Sequence, residues 1–262
     1  MRELIPFSSR FVFEARIINM RKFLLEILLY SIANPFLYLM AIGVGVGTLV
    51  NNNSGGVDGV PYMVFLAPAL LANAAVQGAM DEVIFPTLAG FLWNKGFYSM
   101  NATPLEGRQI ALGVYLASMV RNFFTVIIYF CIMAVFGLLD DPRSWLLIPT
   151  GFLAGAAFAA IMLAVTALTK KDDAFFTFIS RFVLQPMFLL SGTFFPLDSV
   201  PLFLRWVGWL SPLWHASNLG RFLSYGHETP MWLVLTHLIV LIAMTVVGLA
   251  ASIKIFERRL AK

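Results

Sequence analysis

Six nearly unbroken apolar stretches alternate with short polar segments along the chain. They run approximately Leu28 to Val50, Tyr62 to Phe85, Ile110 to Leu139, Trp145 to Leu168, Ala174 to Phe195 and Trp232 to Phe256. Each can span a membrane as a helix, which needs about 20 apolar residues because the hydrocarbon core is about 30 Å thick. Strand-like alternation, the mark of a membrane β-barrel, is absent, and only helices or closed barrels satisfy the backbone in lipid. The pattern predicts an all-α polytopic membrane protein with six transmembrane helices.

The segments outside these stretches carry patterns of their own. Residues 1–27 precede the first span, and Pro6 to Glu26 is long enough for a helix. At 100° per residue Arg10, Glu14 and Arg21 fall in one narrow sector while Phe11, Ile18 and Phe23 lie largely elsewhere, so an amphipathic interface helix is expected. Between spans two and three, Trp93 to Arg108 is punctuated by Gly96, Pro104 and Gly107, leaving room for about two turns of helix from Phe97 to Ala102. Spans one to five occupy 28–195. The external stretch 196–230 is broken by Pro196, Pro201 and Pro212 and carries Trp206, Trp209 and Trp214, whose indoles favour the membrane interface. Span six and a tail fill 231–262, and the chain reads as one transmembrane domain.

Composition agrees: of 262 residues, 60% are hydrophobic and 12% charged, too little polar surface for a water-facing fold. Cys131 is the single cysteine, which excludes a disulfide within the chain. The net charge of +4 is distributed in a telling way. Of 18 Lys and Arg residues, thirteen fall on one side: Arg2, Arg10, Arg16, Arg21, Lys22, Lys95, Arg108, Lys170, Lys171, Lys254, Arg258, Arg259 and Lys262. Arg143, Arg205 and Arg221 fall on the other, and Arg121 and Arg181 lie within spans. Basic loops stay in the cytoplasm, so both termini are expected there, in a cell (cytoplasmic) membrane. The charge is spread over short flanks facing membrane lipids and leaves no patch for nucleic acid. After Met1-Arg2-Glu3 no small-residue cleavage site follows the first long apolar stretch, so no removable signal peptide is expected.

Catalytic chemistry is missing. There is no G-x-x-x-x-G-K-[ST] phosphate loop, no G-x-S-x-G, and no metal-ligand spacing among His215, His227 and His237. Asp140 and Asp141 suit a turn before Pro142. Gly43 with Gly47 and Gly151 with Gly155 form G-x-x-x-G pairs, which fit a crowded bundle or a dimer seam. The chain is therefore not expected to be an enzyme, to bind a metal or to hold a cofactor of its own. Polar residues inside spans carry more information, because charge in hydrocarbon is costly. Asn73, Gln77 and Asp81 share one face of span two with Glu82 beside them, Arg121 lies in span three and Arg181 in span five. They line a route for substrate, or Glu82 or Asp81 pairs with Arg121 or Arg181 to hold helices together. Pro35, after Asn34, is expected to kink span one.

This order of parts, with Leu190 to Pro201 (LSGTFFPLDSVP) and Leu210 to Arg221 (LSPLWHASNLGR), resembles the type-2 ATP-binding-cassette (ABC) exporter permeases, and among them the nodulation-factor and drug-exporter branch (NodJ-like and DrrB-like). Asn34 to Leu39 and Gly59 to Leu66 are weaker matches. The resemblance implies a permease without its own ATPase, paired with a second permease copy and with two copies of a separate ABC ATPase subunit that carries ATP and Mg. It implies a coupling helix within Lys95 to Pro104, where Lys95, Gly96, Phe97, Tyr98 and Met100 enter the ATPase cleft. It also implies two short external re-entrant helices capping the exit, bearing Ser191, Gly192, Phe195, Pro196, Asp198, Pro201, Pro212, His215 and Arg221. The expected function is export of an amphipathic substrate (lipid-linked saccharide, glycolipid or hydrophobic drug) by alternating access. The alternatives are an ion-coupled transporter or channel subunit and a polytopic membrane enzyme.

Overall fold

A computed structural model describes residues 8–139, 141–171 and 174–261. Met1, Arg2, Glu3, Pro6, Asp140 and Lys262, invoked above, lie outside the described residues. In chain order, α1 (Ser9–Arg21) leads to α2 (Leu24–Ser54), α3 (Tyr62–Trp93), the short α4 (Gly96–Ala102), α5 (Gly107–Val135) and α6 (Ser144–Leu168). Helix α7 follows in three consecutive pieces, Phe175–Ile179, a π turn Ser180–Leu184 and Gln185–Leu190. Then come α8 (Leu202–Trp209), α9 (Pro212–Tyr225) and α10 (Met231–Leu260). Among the described residues the only β feature is an isolated bridge between Val57 and Val60.

Among the described residues five helices, α2, α3, α5, α6 and α10, are long and apolar enough to cross a membrane. The stretch expected as a span from Ala174 to Phe195 becomes α7, whose helix stops at Leu190. Gly192 there takes a φ of 73°, a left-handed turn that favours glycine, and the helix cannot continue through it. The interface helix is shorter than Pro6 to Glu26, because the chain turns at Lys22 and Phe23 and Glu26 belongs to α2. Pro35 does not end α2, which runs on through a π turn at Leu39–Val46.

Local chemistry fixes the other boundaries. Glu106 and Gln109 form a reciprocal capping box at the start of α5. Ser211 caps α9, its Oγ accepting from the Leu213 N–H at 3.1 Å, with Pro212 in the first turn.

Helices α3 and α6 form the centre, with 83% and 72% of their most apolar windows buried, against 22% for α2 and 17% for α10. Small residues allow this closeness: Ala67, Ala72, Ala75 and Ala79 on α3 and Ala154, Ala157, Ala160 and Ala167 on α6 are all buried. Helix α10 lies along α6, and a Cβ at Gly248 would sit 2.8 Å from the Ile161 backbone nitrogen. Both G-x-x-x-G pairs serve packing within the chain: Gly43 faces Met63, Gly47 Tyr62, Gly151 Leu71 and Gly155 Asn122.

Contacts between distant segments gather them at two opposite ends. At one end Asn101 Nδ2 donates to the Leu260 carbonyl at 2.7 Å, and Arg259 Nη1 donates to the carbonyls of Ala167 and Thr169. At the other, the Tyr62 hydroxyl donates to the Phe194 carbonyl at 3.0 Å, and His227 Nδ1 lies 3.3 Å from Asp58.

Candidate coupling helix, charge cluster and outer cap

Helix α4 is seated at the first of these ends by aromatic packing. The Phe97 ring lies 4.9 Å from Phe91 and 5.5 Å from Phe256, so it bridges the end of α3 to the end of α10. It enters because Gly90 has no side chain; a Cβ there would collide with the ring. Phe97 is 3% exposed, which corrects its expected place among surface-docking residues: the ring is an inward anchor. Tyr98, 43% exposed, and exposed Lys95 form the outward part. Lys95 itself has a φ of 53°, with the Asn94 carboxamide oxygen accepting the Gly96 N–H at 2.9 Å. Gly96 and Met100 are half-buried beneath this face.

The buried charges form one alternating cluster. Arg121 donates to Asp81 at 2.9 Å and lies 3.7 Å from Glu82, while Arg16 donates to Glu82 at 3.0 Å. Asp81 and Glu82 come from α3, Arg121 from α5 and Arg16 from α1, so the cluster ties three helices together. Burial pushes the Arg16 pKa below its ordinary value while Glu82 opposes the shift. The four residues line a cavity of about 510 Å³ together with Asn19, Phe23, Glu26 and Tyr30. Asn73 is buried near the middle of α3, and half-buried Gln77 lines a smaller cleft with Asn34 and Thr125. Arg181 is exposed and joins no ion pair among the described residues, so of the two arginines expected to pair, Arg121 does. Sequence reasoning missed Arg16, which lies about 240° around the helix from Arg10 and so on another face.

At the opposite end, Arg221 is 2% exposed, its guanidinium 3.7 Å from the centre of the Phe65 ring. Its Nε donates to the Phe65 carbonyl at 3.2 Å, and its Nη2 to the carbonyls of Gly192 at 2.6 Å and Thr193 at 3.3 Å. Arg221 thus pins the turn after α7 to α3 and α9. Ser191 is buried in that turn, and Phe195 is exposed. Pro196 and Pro201 precede the short helical turn Leu197–Ser199 and α8, and Asp198 lies 3.1 Å from Arg205.

His215 Nε2 lies 3.0 Å from the Trp209 carbonyl, an acceptor, so this nitrogen carries the hydrogen. In neutral His215, Nδ1 then accepts, and His237 Nδ1–H donates to it at 2.8 Å. His215 and His237, 22 residues apart in the sequence, are therefore partners joining α9 to α10. No group of three or more His, Cys, Asp or Glu placed to hold a metal occurs among the described residues.

Nodulation protein J of Rhizobium leguminosarum bv. viciae is 29% identical over 242 residues, 92% of this chain and 91% of that protein. Nodulation protein J of Sinorhizobium fredii is 30% identical over 233 residues, 89% of this chain and 86% of its own. The inner membrane transport permease YadH of Escherichia coli is 20% identical over 189 residues, 72% of this chain and 73% of its own. No solved structure matches. The family model for the ABC-2 type transporter matches residues 11–225, most of the bundle including α4, the charge cluster, α8 and α9, and the chain belongs to that family.

Proposed function

We propose that this chain is the permease half of an ATP-driven exporter that moves an amphipathic substrate, a lipid-linked saccharide, glycolipid or hydrophobic drug, out of the cytoplasm. A separate ATPase subunit, in two copies, binds ATP and Mg and docks against α4 of each of two permease copies. The observation that carries the reading is the seating of α4. Phe97 locks it to α3 and α10 together, so a push on its outward face is delivered to two long helices at once. ATP-driven closure of the ATPase dimer then rocks the permease halves between inward- and outward-open states. The charge cluster fits a packing role, since its charges are matched within the cluster.

The test is copurification and reconstitution. A separate ABC ATPase is expected to copurify with this chain and to hydrolyse ATP in proteoliposomes. Tyr98→Ala and Lys95→Glu weaken that association while the permease keeps its thermal stability. An ATPase held equally well by both variants would place docking elsewhere, and failure of any ATPase to bind would remove the reading. Lipids that accumulate in a deletion strain, identified by mass spectrometry, name the substrate.

A further inference from the structure

Beneath the first half of α1 lies a second cavity, of about 550 Å³, separate from the charge cluster and within the range of about 300–1,000 Å³ typical of small-molecule sites. Its walls are Phe13 of α1, Leu116, Met119, Val120 and Phe123 of α5, and Phe152 of α6. Leu116, Val120 and Phe123 follow one another along one side of α5, a rail of about 10 Å at 1.5 Å per residue. The rail leads from the end of the bundle that holds α1 towards the middle of the membrane. Among the described residues the only polar lining is Ser9 and Arg10, both in the first turn of α1.

Arg10 is exposed, and its guanidinium lies 5.1 Å from the ring of its neighbour Phe11. No carboxylate pairs with it among the described residues, Glu14 one turn along included. An open apolar groove along α5, with a cation beside it that no carboxylate pairs among the described residues, has the polarity of a single amphiphile.

The geometry points to a resident phospholipid: one acyl chain lies along α5 between Phe13 and Phe152, and its phosphate is held by Arg10 and Ser9. A guanidinium matches phosphate oxygens in charge and geometry, and the apolar walls bury the methylenes of the chain. The lipid fills the gap between α1 and the bundle, beside the contact where Val12 packs against Gly113 and ahead of the Arg16–Glu82 pair. It thereby fixes the height of α1 at the membrane surface. The inference concerns the permease alone and stands whether or not the export reading holds.

The test uses full-length, delipidated protein in detergent. The probes are palmitoyl-oleoyl-phosphatidylglycerol, phosphatidylethanolamine with the same chains, and the matching diacylglycerol. Native mass spectrometry is expected to retain one phospholipid of either headgroup per chain, with a rise in melting temperature, and to retain no diacylglycerol. Arg10→Ala weakens retention about tenfold, as loss of a charge-assisted contact implies, and Arg10→Lys keeps most of it. Leu116→Trp, which fills the groove from its exposed side, also displaces the lipid. Equal retention of diacylglycerol, or retention unchanged in both Arg10→Ala and Leu116→Trp, would mean annular lipid only and overturn the inference. Phospholipid binding only after removal of residues 1–7 would make the chain's own first residues the occupant, with the same consequence.

Discussion

Glu82 sits between two guanidinium groups, 3.0 Å from Arg16 and 3.7 Å from Arg121, so its removal leaves Arg16 without its carboxylate and Arg121 with Asp81 alone. Glu82→Gln is expected to cost about 3–5 kcal/mol, read as detergent-extracted thermal stability, and joint replacement of Glu82 and Arg16 by methionine to recover most of it. Strictly additive losses in that double-mutant cycle would show that the pair does not interact. The sequence exposed three of the four members of this cluster: Asp81, Glu82 and Arg121 are charges in apolar runs, conspicuous by cost alone. It hid Arg16 because a 13-residue helix rich in charge offers many candidates, and only its partner reveals which charge turns inward. The loop before α6 holds a different carboxylate. Asp141 accepts from the Arg143 side chain at 3.0 and 2.8 Å and from its backbone N–H at 2.7 Å, and these hydrogen bonds lower its pKa to about 2 from 3.8. With the folded pKa depressed, the contribution of this contact is complete above about pH 4 and is lost as pH falls through about 2. Carboxyl NMR should place the Asp141 midpoint near that value and move it back towards 3.8 in Arg143→Ala; an unmoved midpoint would assign the shift to another cause.

For helix α4 the sequence and the structure divide the labour differently. Gly96 and Pro104 marked its limits, and the observed helix, Gly96–Ala102, is one residue longer than expected. Its inward face was not legible, because Phe97 and Tyr98 are adjacent aromatics on a helix of only seven residues. The deciding residue is Gly90, which belongs to another helix and supplies the recess. Phe97→Ala is therefore expected to destabilise the protein by about 3–5 kcal/mol, as a buried aromatic does, whereas Tyr98→Ala stays within about 1 kcal/mol. Equal melting temperatures for the two variants would contradict the inward seating. The same limit governs α7: an apolar run from Ala174 to Phe195 has the length of a span, but the left-handed turn at Gly192 ends the helix early. Packing between α6 and α10 offers a companion test. Gly248→Val would push a side chain into the Ala160–Ile161 backbone, with an expected loss of about 1–3 kcal/mol from overpacking.

At the scale of the whole molecule, membrane integration follows from five long apolar helices and from membership of a transporter family, while the direction of insertion rests on charge. The two kinds of information are independent and can fail separately. Internal contacts join α4 to the end of α10 through Asn101 and Leu260, and join Asp58 to His227 at the opposite end. Any reagent that labels Tyr98 and Ala261 must therefore reach them from one side, and Glu228 from the other, whichever way the chain is inserted. The excess of Lys and Arg beside α4 and at the termini then sets the sign: that end is expected in the cytoplasm. Cys131 is exposed, so the measurement starts from Cys131→Ala. Single cysteines are then introduced at Tyr98, Glu228 and Ala261. In intact cells a membrane-impermeant maleimide should label Glu228→Cys alone, and permeabilisation should add the other two. Labelling of Tyr98→Cys and Ala261→Cys alone in intact cells would invert the orientation and remove the cytoplasmic ATPase site, yet leave the fold intact. Labelling of Tyr98→Cys and Glu228→Cys from the same side would break the fold itself, because no single insertion of this bundle brings those two residues to one surface.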